Sequence, residues 1–124
     1  MARLFNYIND KEKAISCCYK ALNIDEFSIP TYYILADIAK KNKLPEAKKI
    51  LKKIIYLEPR SVAAYLKLSY VYQAENDTNR AHKMQEVALS ILKQLPAGME
   101  IPELDYLTVT QLMLQLETNL ETNN

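Results

Sequence analysis

Apolar positions along this chain recur at helical intervals, and the same short pattern returns three times. The segments "DKEKAISCCYKALNIDE", "LPEAKKILKKIIYLEPR" and "DTNRAHKMQEVALSILK" superpose so that Ala14, Ala47 and Ala81 fall 33 and 34 residues apart. Seven residues further on come Ala21, Ile54 and Ala88, and between them Cys18, Leu51 and Gln85 take a larger inward position. Each segment reads as one helix used again. Ahead of the second copy, "SIPTYYILADIAKKN" gathers Ile34, Leu35 and Ile38; ahead of the third, "SVAAYLKLSYVYQAEN" gathers Tyr65, Leu68, Ser69 and Tyr72 on one helical face. The unit is therefore helix, short turn, helix. A lone pair leaves one apolar face wet, so successive pairs are expected to stack into an all-α solenoid.

The chain punctuation agrees with this division. Pro45 suits the first position of a helix, Ser28 and Ser61 suit N-caps, Asn9 with Glu12 suits an approximate reciprocal cap, and Pro59 and Pro96 fall where helices should stop. Helices are predicted at about residues 3–8, 11–24, 29–41, 45–57, 62–75 and 78–94, with a seventh in the tail. In "YLTVTQLMLQLETNL" Thr108 and Gln111 make a capping box, and Leu107 is placed to staple onto Leu112. Val109, Leu112, Met113, Leu116 and Leu120 then form a stripe that needs covering, which predicts a helix sealing the end of the stack.

These residues resemble the tetratricopeptide repeat. The third copy carries the likeness best, with Tyr65, Leu68, Ser69, Tyr72, Ala81 and Ala88 at the family's aromatic, Leu, small, aromatic, Ala and Ala positions. The second copy keeps Ile34, Leu35, Ile38, Ala47, Ile54 and Pro59, with Thr31 in place of an aromatic and Leu35 where a small residue is usual. The implied fold is an all-α, tetratricopeptide-like helical hairpin solenoid with a C-terminal capping helix, one domain over residues 1–124. It divides into a partial repeat at 1–27, repeats at 28–61 and 62–96, and a connector and cap at 97–124. The sequence from "LKQLP" through "EIPELD" to "YLTVTQLMLQLE" is also similar to the C-terminal repeat module of some CheR-type chemoreceptor methyltransferases. That likeness implies a fragment or stand-alone module in chemosensory signalling, not methyl transfer by this chain.

The family register implies a concave protein-binding face formed by first helices: Ile29, Tyr32, Ala36, Ala39 and Lys40 from the second copy, and Ala63, Leu66, Tyr70, Gln73 and Ala74 from the third. Tyr32 and Tyr70 are its expected anchors, because tyrosine offers rigid contact area and a hydroxyl. Some repeats of this family clamp a carboxylate with Lys and Asn side chains. Here Leu66 and Tyr70 stand where donors would be needed, so an apolar and aromatic groove for a helix or extended segment fits better.

Chemistry has little raw material. The single histidine, His82, lacks partners to orient or tune it; the adjacent Cys17 and Cys18 cannot bridge each other from a helix and read as reduced thiols, Cys18 as a small core residue. With four metal ligands nowhere assembled and Gly98 the one glycine, no catalytic site, metal, nucleotide loop or cofactor is expected. No apolar run reaches the roughly 18 residues of a membrane span and the N-terminus turns polar early, so a cytoplasmic, non-enzymatic protein is expected.

Charge adds one feature. From Ile38 to Arg60 eight basic residues face two acidic ones, a net +6, while from Ala97 to Asn124 five acidic residues and no basic one give −5. Lys48, Lys49, Lys52 and Lys53 should lie outward on the convex side as a basic surface. Protein or peptide recognition is the leading expectation. A structural spacer or self-association domain is the alternative from another class, and weak nucleic-acid binding through the lysines is a third.

Overall fold

A computed structural model of the chain describes residues 11–122. The helix expected at 3–8 and the Asn9–Glu12 cap lie outside the described residues. Among them are six α-helices: α1 (Lys11–Ile24), α2 (Ile29–Asn42), α3 (Leu44–Leu57), α4 (Val62–Ala74), α5 (Thr78–Leu92) and α6 (Val109–Thr122). The all-α expectation holds, and the helix boundaries fall within two residues of the periodicity-based ones. The chain divides into two compact units, with the division between Pro59 and Arg60.

In the first unit α2 packs along α3, and α1 packs on α2. The three seven-residue frames behave alike in burial: Ala14, Ala47 and Ala81 are fully enclosed, as are Ile54 and Ala88, and Cys18, Leu51 and Gln85 are 1%, 2% and 1% exposed. Ala21 is half-buried. Burying a leucine or isoleucine at such a position contributes about 1.5 to 3 kcal/mol, which is more than surface charge pairs supply. The joint between α1 and α2 is an Asp25 turn, in which the Phe27 N–H donates to the Asp25 carboxylate at 3.1 Å. Ser28 occupies the N-cap position of α2, but its hydroxyl exchanges a 2.8 Å hydrogen bond with the Thr31 hydroxyl and caps no backbone N–H. Between α2 and α3 a single residue, Lys43, serves as C-cap of one and N-cap of the other. That shift puts Leu44 first in α3 and Pro45 second, where its missing N–H still leaves no intrahelical bond unmade.

The second unit is built on α4 and α5, with α6 packed on α5. Ser61 caps α4 as expected, accepting from the Ala64 N–H at 3.3 Å. α4 ends in a Schellman turn: Asn76 stands in the left-handed region at φ 63, its N–H donates to the Gln73 carbonyl at 3.0 Å, and the Asp77 N–H donates to the Tyr72 carbonyl at 2.8 Å. Asp77 then caps α5, accepting from the Arg80 N–H and pairing with its guanidinium, both at 3.3 Å. α4 is buried almost all round, with Val62, Ala63, Ala64, Leu66, Leu68, Ser69, Val71 and Tyr72 enclosed. The Ser69 hydroxyl is satisfied there by the Leu66 carbonyl at 2.7 Å. In α2, Tyr33, Leu35, Ala36, Ile38 and Ala39 are buried while Ile34 is only half-buried, so the buried face includes Tyr33 ahead of Ile34.

The segment after α5, which reads as an irregular polar connector, is ordered. Glu100–Ile101 pairs antiparallel with Leu107–Thr108, with Pro102–Leu104 as one 3₁₀ turn between them. A glycine-poor chain offers few such reversals. This one is made by Asp105 and Tyr106, both left-handed at φ 58 and 60, a conformation Asp tolerates and Tyr adopts at a cost. The Thr110 N–H and hydroxyl both donate to the Ala97 carbonyl at 3.1 and 2.9 Å, anchoring the start of α6. On α6 Val109, Leu112 and Leu116 are buried, Met113 and Leu120 half-buried, and Leu114 exposed, which is the orientation that the leucine stripe predicts.

Candidate functional site

Three surfaces follow from this placement, one in the second unit and two in the first. On α4 the polar break in an otherwise enclosed helix comes at Tyr70, 50% exposed, followed by exposed Gln73 and Ala74. Tyr70 and Gln73 are three residues apart and so share a face. The other two residues of that expected stripe, Ala63 and Leu66, are buried at 2% exposure each and offer nothing to a partner. The enclosure of α4 on several sides is the reason: its first two turns carry too few polar residues to hold an open face.

On α2 the expected face divides likewise. Lys40 is exposed, Ile29 and Tyr32 are half-buried, and Ala36 and Ala39 are buried. The Tyr32 hydroxyl donates to the Glu26 carbonyl at 2.8 Å, tying the first turn of α2 to the preceding turn, so that hydroxyl already has a partner.

α3 presents the basic surface. Lys49, Lys52 and Lys53 are exposed and Lys48 is half-buried. Opposite them Ala47, Leu51 and Ile54 are enclosed, giving α3 a sharply divided cross-section. Among the described residues Lys49, Lys52 and Lys53 form no ion pair. Sequence reading passed over Tyr56, which is 77% exposed and lies under the Lys53 ammonium at 5.4 Å from the ring centroid. Its signal was present in the spacing: Lys49, Lys52, Lys53 and Tyr56 stand at i, i+3, i+4 and i+7, one continuous helical stripe.

The residues weighed for chemistry remain apart from any constellation. Cys18 is buried and Cys17 half-buried, both free, and burial together with the neighbouring Cys17 pushes the Cys18 thiol above its ordinary pKa. His82 is half-buried on α5. Among the described residues no three His, Cys, Asp or Glu side chains gather to hold a metal ion, and no helix is long and apolar enough to cross a membrane.

An all-α chain of six described helices is thus the class that the fold defines. No protein-family model matches the chain, and no curated protein matches it.

Proposed function

We propose that the chain is a protein-binding module of tetratricopeptide-like helical hairpins, acting as a non-catalytic part of a chemosensory or related signalling assembly. The observation that carries this reading is the recurrence of enclosed small residues at Ala14, Ala47 and Ala81 together with the large inward positions Cys18, Leu51 and Gln85, at the spacing of that repeat. The α6 helix packed on α5 supports the terminal-cap part of the reading, and the tail's likeness to chemosensory modules supplies the signalling context.

Within this reading the docking residues are those that remain open on the first helices. In the second unit these are Tyr70 and Gln73; in the first, Lys40 with the half-buried ring of Tyr32. A tyrosine half open to solvent presents a rigid ring and a free edge for a helix or extended segment. A photo-cross-linking residue placed at Tyr70, with Lys83 on α5 as a control position, identifies the partner in cells. Binding of that purified partner is then compared between wild type and folded Tyr70→Ala/Gln73→Ala. Loss of roughly tenfold or more in affinity is expected for an anchor tyrosine; unchanged affinity rejects this face.

A further inference from the structure

We infer that the α3 stripe Lys49, Lys52, Lys53 and Tyr56 docks on the exposed face of α6, carrying Leu114 and Glu117, in a second copy of the chain. The inference stands apart from the α4 docking face and uses none of its residues.

Both halves of the contact are on one molecule, and they complement each other in charge. The α3 stripe is purely basic between Lys49 and Tyr56, and its three lysines have no ion-pair partner among the described residues. The segment from Ala97 onward has five acidic residues and no basic one, and Glu117 is exposed on α6. Leu114 is 63% exposed there, beside Gln115, Thr118 and Asn119 along a shallow open surface. With a net charge of +1 the chain has almost no overall repulsion to oppose self-contact, while its basic and acidic segments differ strongly.

The registers match. Read backwards along α3, Tyr56 is followed by Lys53 and Lys52 at three and four residues, and by Lys49 at seven. Read forwards along α6, Leu114 is followed by Glu117 at three and by the Glu121 position at seven. Laid antiparallel, the two helices set Tyr56 against Leu114, Lys53 and Lys52 against Glu117, and Lys49 at the level of Glu121, over about 10 Å of axis at 1.5 Å per residue. The aromatic and leucine ends supply the apolar contact that exposed ion pairs alone do not provide, and the charges fix the direction. The contact joins α3 of one copy to α6 of another, so its two sides are different surfaces of the same chain.

The test uses paired charge reversals in the full chain, Lys49→Glu/Lys53→Glu on α3 and Glu117→Lys/Glu121→Lys on α6, each checked for helicity and melting. All four positions are on outward or terminal turns, so folding should persist. Sedimentation velocity across micromolar to high-micromolar concentration should show wild type associating at low salt. The association constant should fall at least about tenfold near 1 M salt, where the screening length is about 3 Å. Each reversal alone should give a monomer, and a one-to-one mixture of the two should associate again, because every α3 then finds an α6 of opposite sign. A wild type that stays monomeric at low salt overturns the inference, as does association that neither reversal changes or that only one of them abolishes. Labelled duplex DNA is the competing occupant. Salt-sensitive binding to it that disappears with the α3 reversal, beside a monomeric wild type, assigns the stripe to phosphate and overturns self-docking.

Discussion

Thr108 and Gln111 hold each other across the first turn of α6. The Thr108 N–H donates to the Gln111 side-chain oxygen at 2.9 Å and its hydroxyl donates to the same oxygen at 3.2 Å, while the Gln111 N–H donates to the Thr108 hydroxyl oxygen at 3.2 Å. This reciprocal cap satisfies two backbone donors at the point where the short ladder becomes a helix. Thr108→Ala should lower stability by about 1 kcal/mol in urea denaturation, Thr108→Ser by less. A Thr108→Ala/Gln111→Ala double mutant should cost less than the two single changes summed, since they share one interaction. Strict additivity would show that the two caps act independently.

Gln85 gives the opposite case, a polar group without a partner. It is 1% exposed at the position that Cys18 and Leu51 fill in the other copies, and its side-chain oxygen accepts no hydrogen bond. Gln85→Leu should therefore stabilise the second unit by about 1 kcal/mol, by removing an unsatisfied acceptor and keeping the volume. Gln85→Ala should destabilise by about 2 to 4 kcal/mol through the cavity it leaves. Thermal melts of the pair check the sign; a destabilised Gln85→Leu would mean the amide is held by something other than packing.

Residues of α6 belong to the fold of the second unit. Leu112→Ala or Leu116→Ala should cost about 2 to 4 kcal/mol, whereas Leu114→Ala, at an exposed site, should change stability little. Hydrogen exchange offers a second reading: protection from Val109 to Leu116 should persist at high salt, because apolar packing is not screened. Rapid exchange there under both low and high salt would contradict a packed cap.

Cys18 should be the slow thiol. Its pKa is raised chiefly by burial, so it is less ionised at a given pH than an open cysteine, and a thiolate-directed reagent should label Cys17 first. In Cys17→Ser, native labelling should be slow until the protein unfolds. The raised folded-state value also couples to stability: the contribution is complete below the ordinary thiol pKa and declines as pH climbs from there to the raised one. Cys18→Ala should flatten that alkaline decline.

How far the fold was legible depends on the kind of signal. Enclosure at Ala14, Ala47 and Ala81 was readable because a small residue at a fixed interval marks close helix approach, and the α6 cap was readable from side-chain types alone. The ladder at Glu100–Ile101 and Leu107–Thr108 was not, because its reversal rests on Tyr106 in a left-handed conformation that its residue type does not favour. On the candidate surfaces, the outward lysines of α3 were legible from the division of its faces. The burial of Ala63 and Leu66 was not, since α4 is apolar on several sides and its periodicity does not say which side stays open.

The single-residue joint at Lys43 sets where this chain can be lengthened. One added residue would advance α3 by about 100° relative to α2 and turn Leu51 and Ile54 away from their places, so a tag or reporter grafted at Lys43 should scramble the first unit. Gly98 is the contrasting position. It is exposed, and a Cβ placed on it would meet no atom within 4 Å, so a fluorophore on the side chain of Gly98→Cys should be carried there while the Met99 N–H still closes the turn onto the Pro96 carbonyl at 3.1 Å.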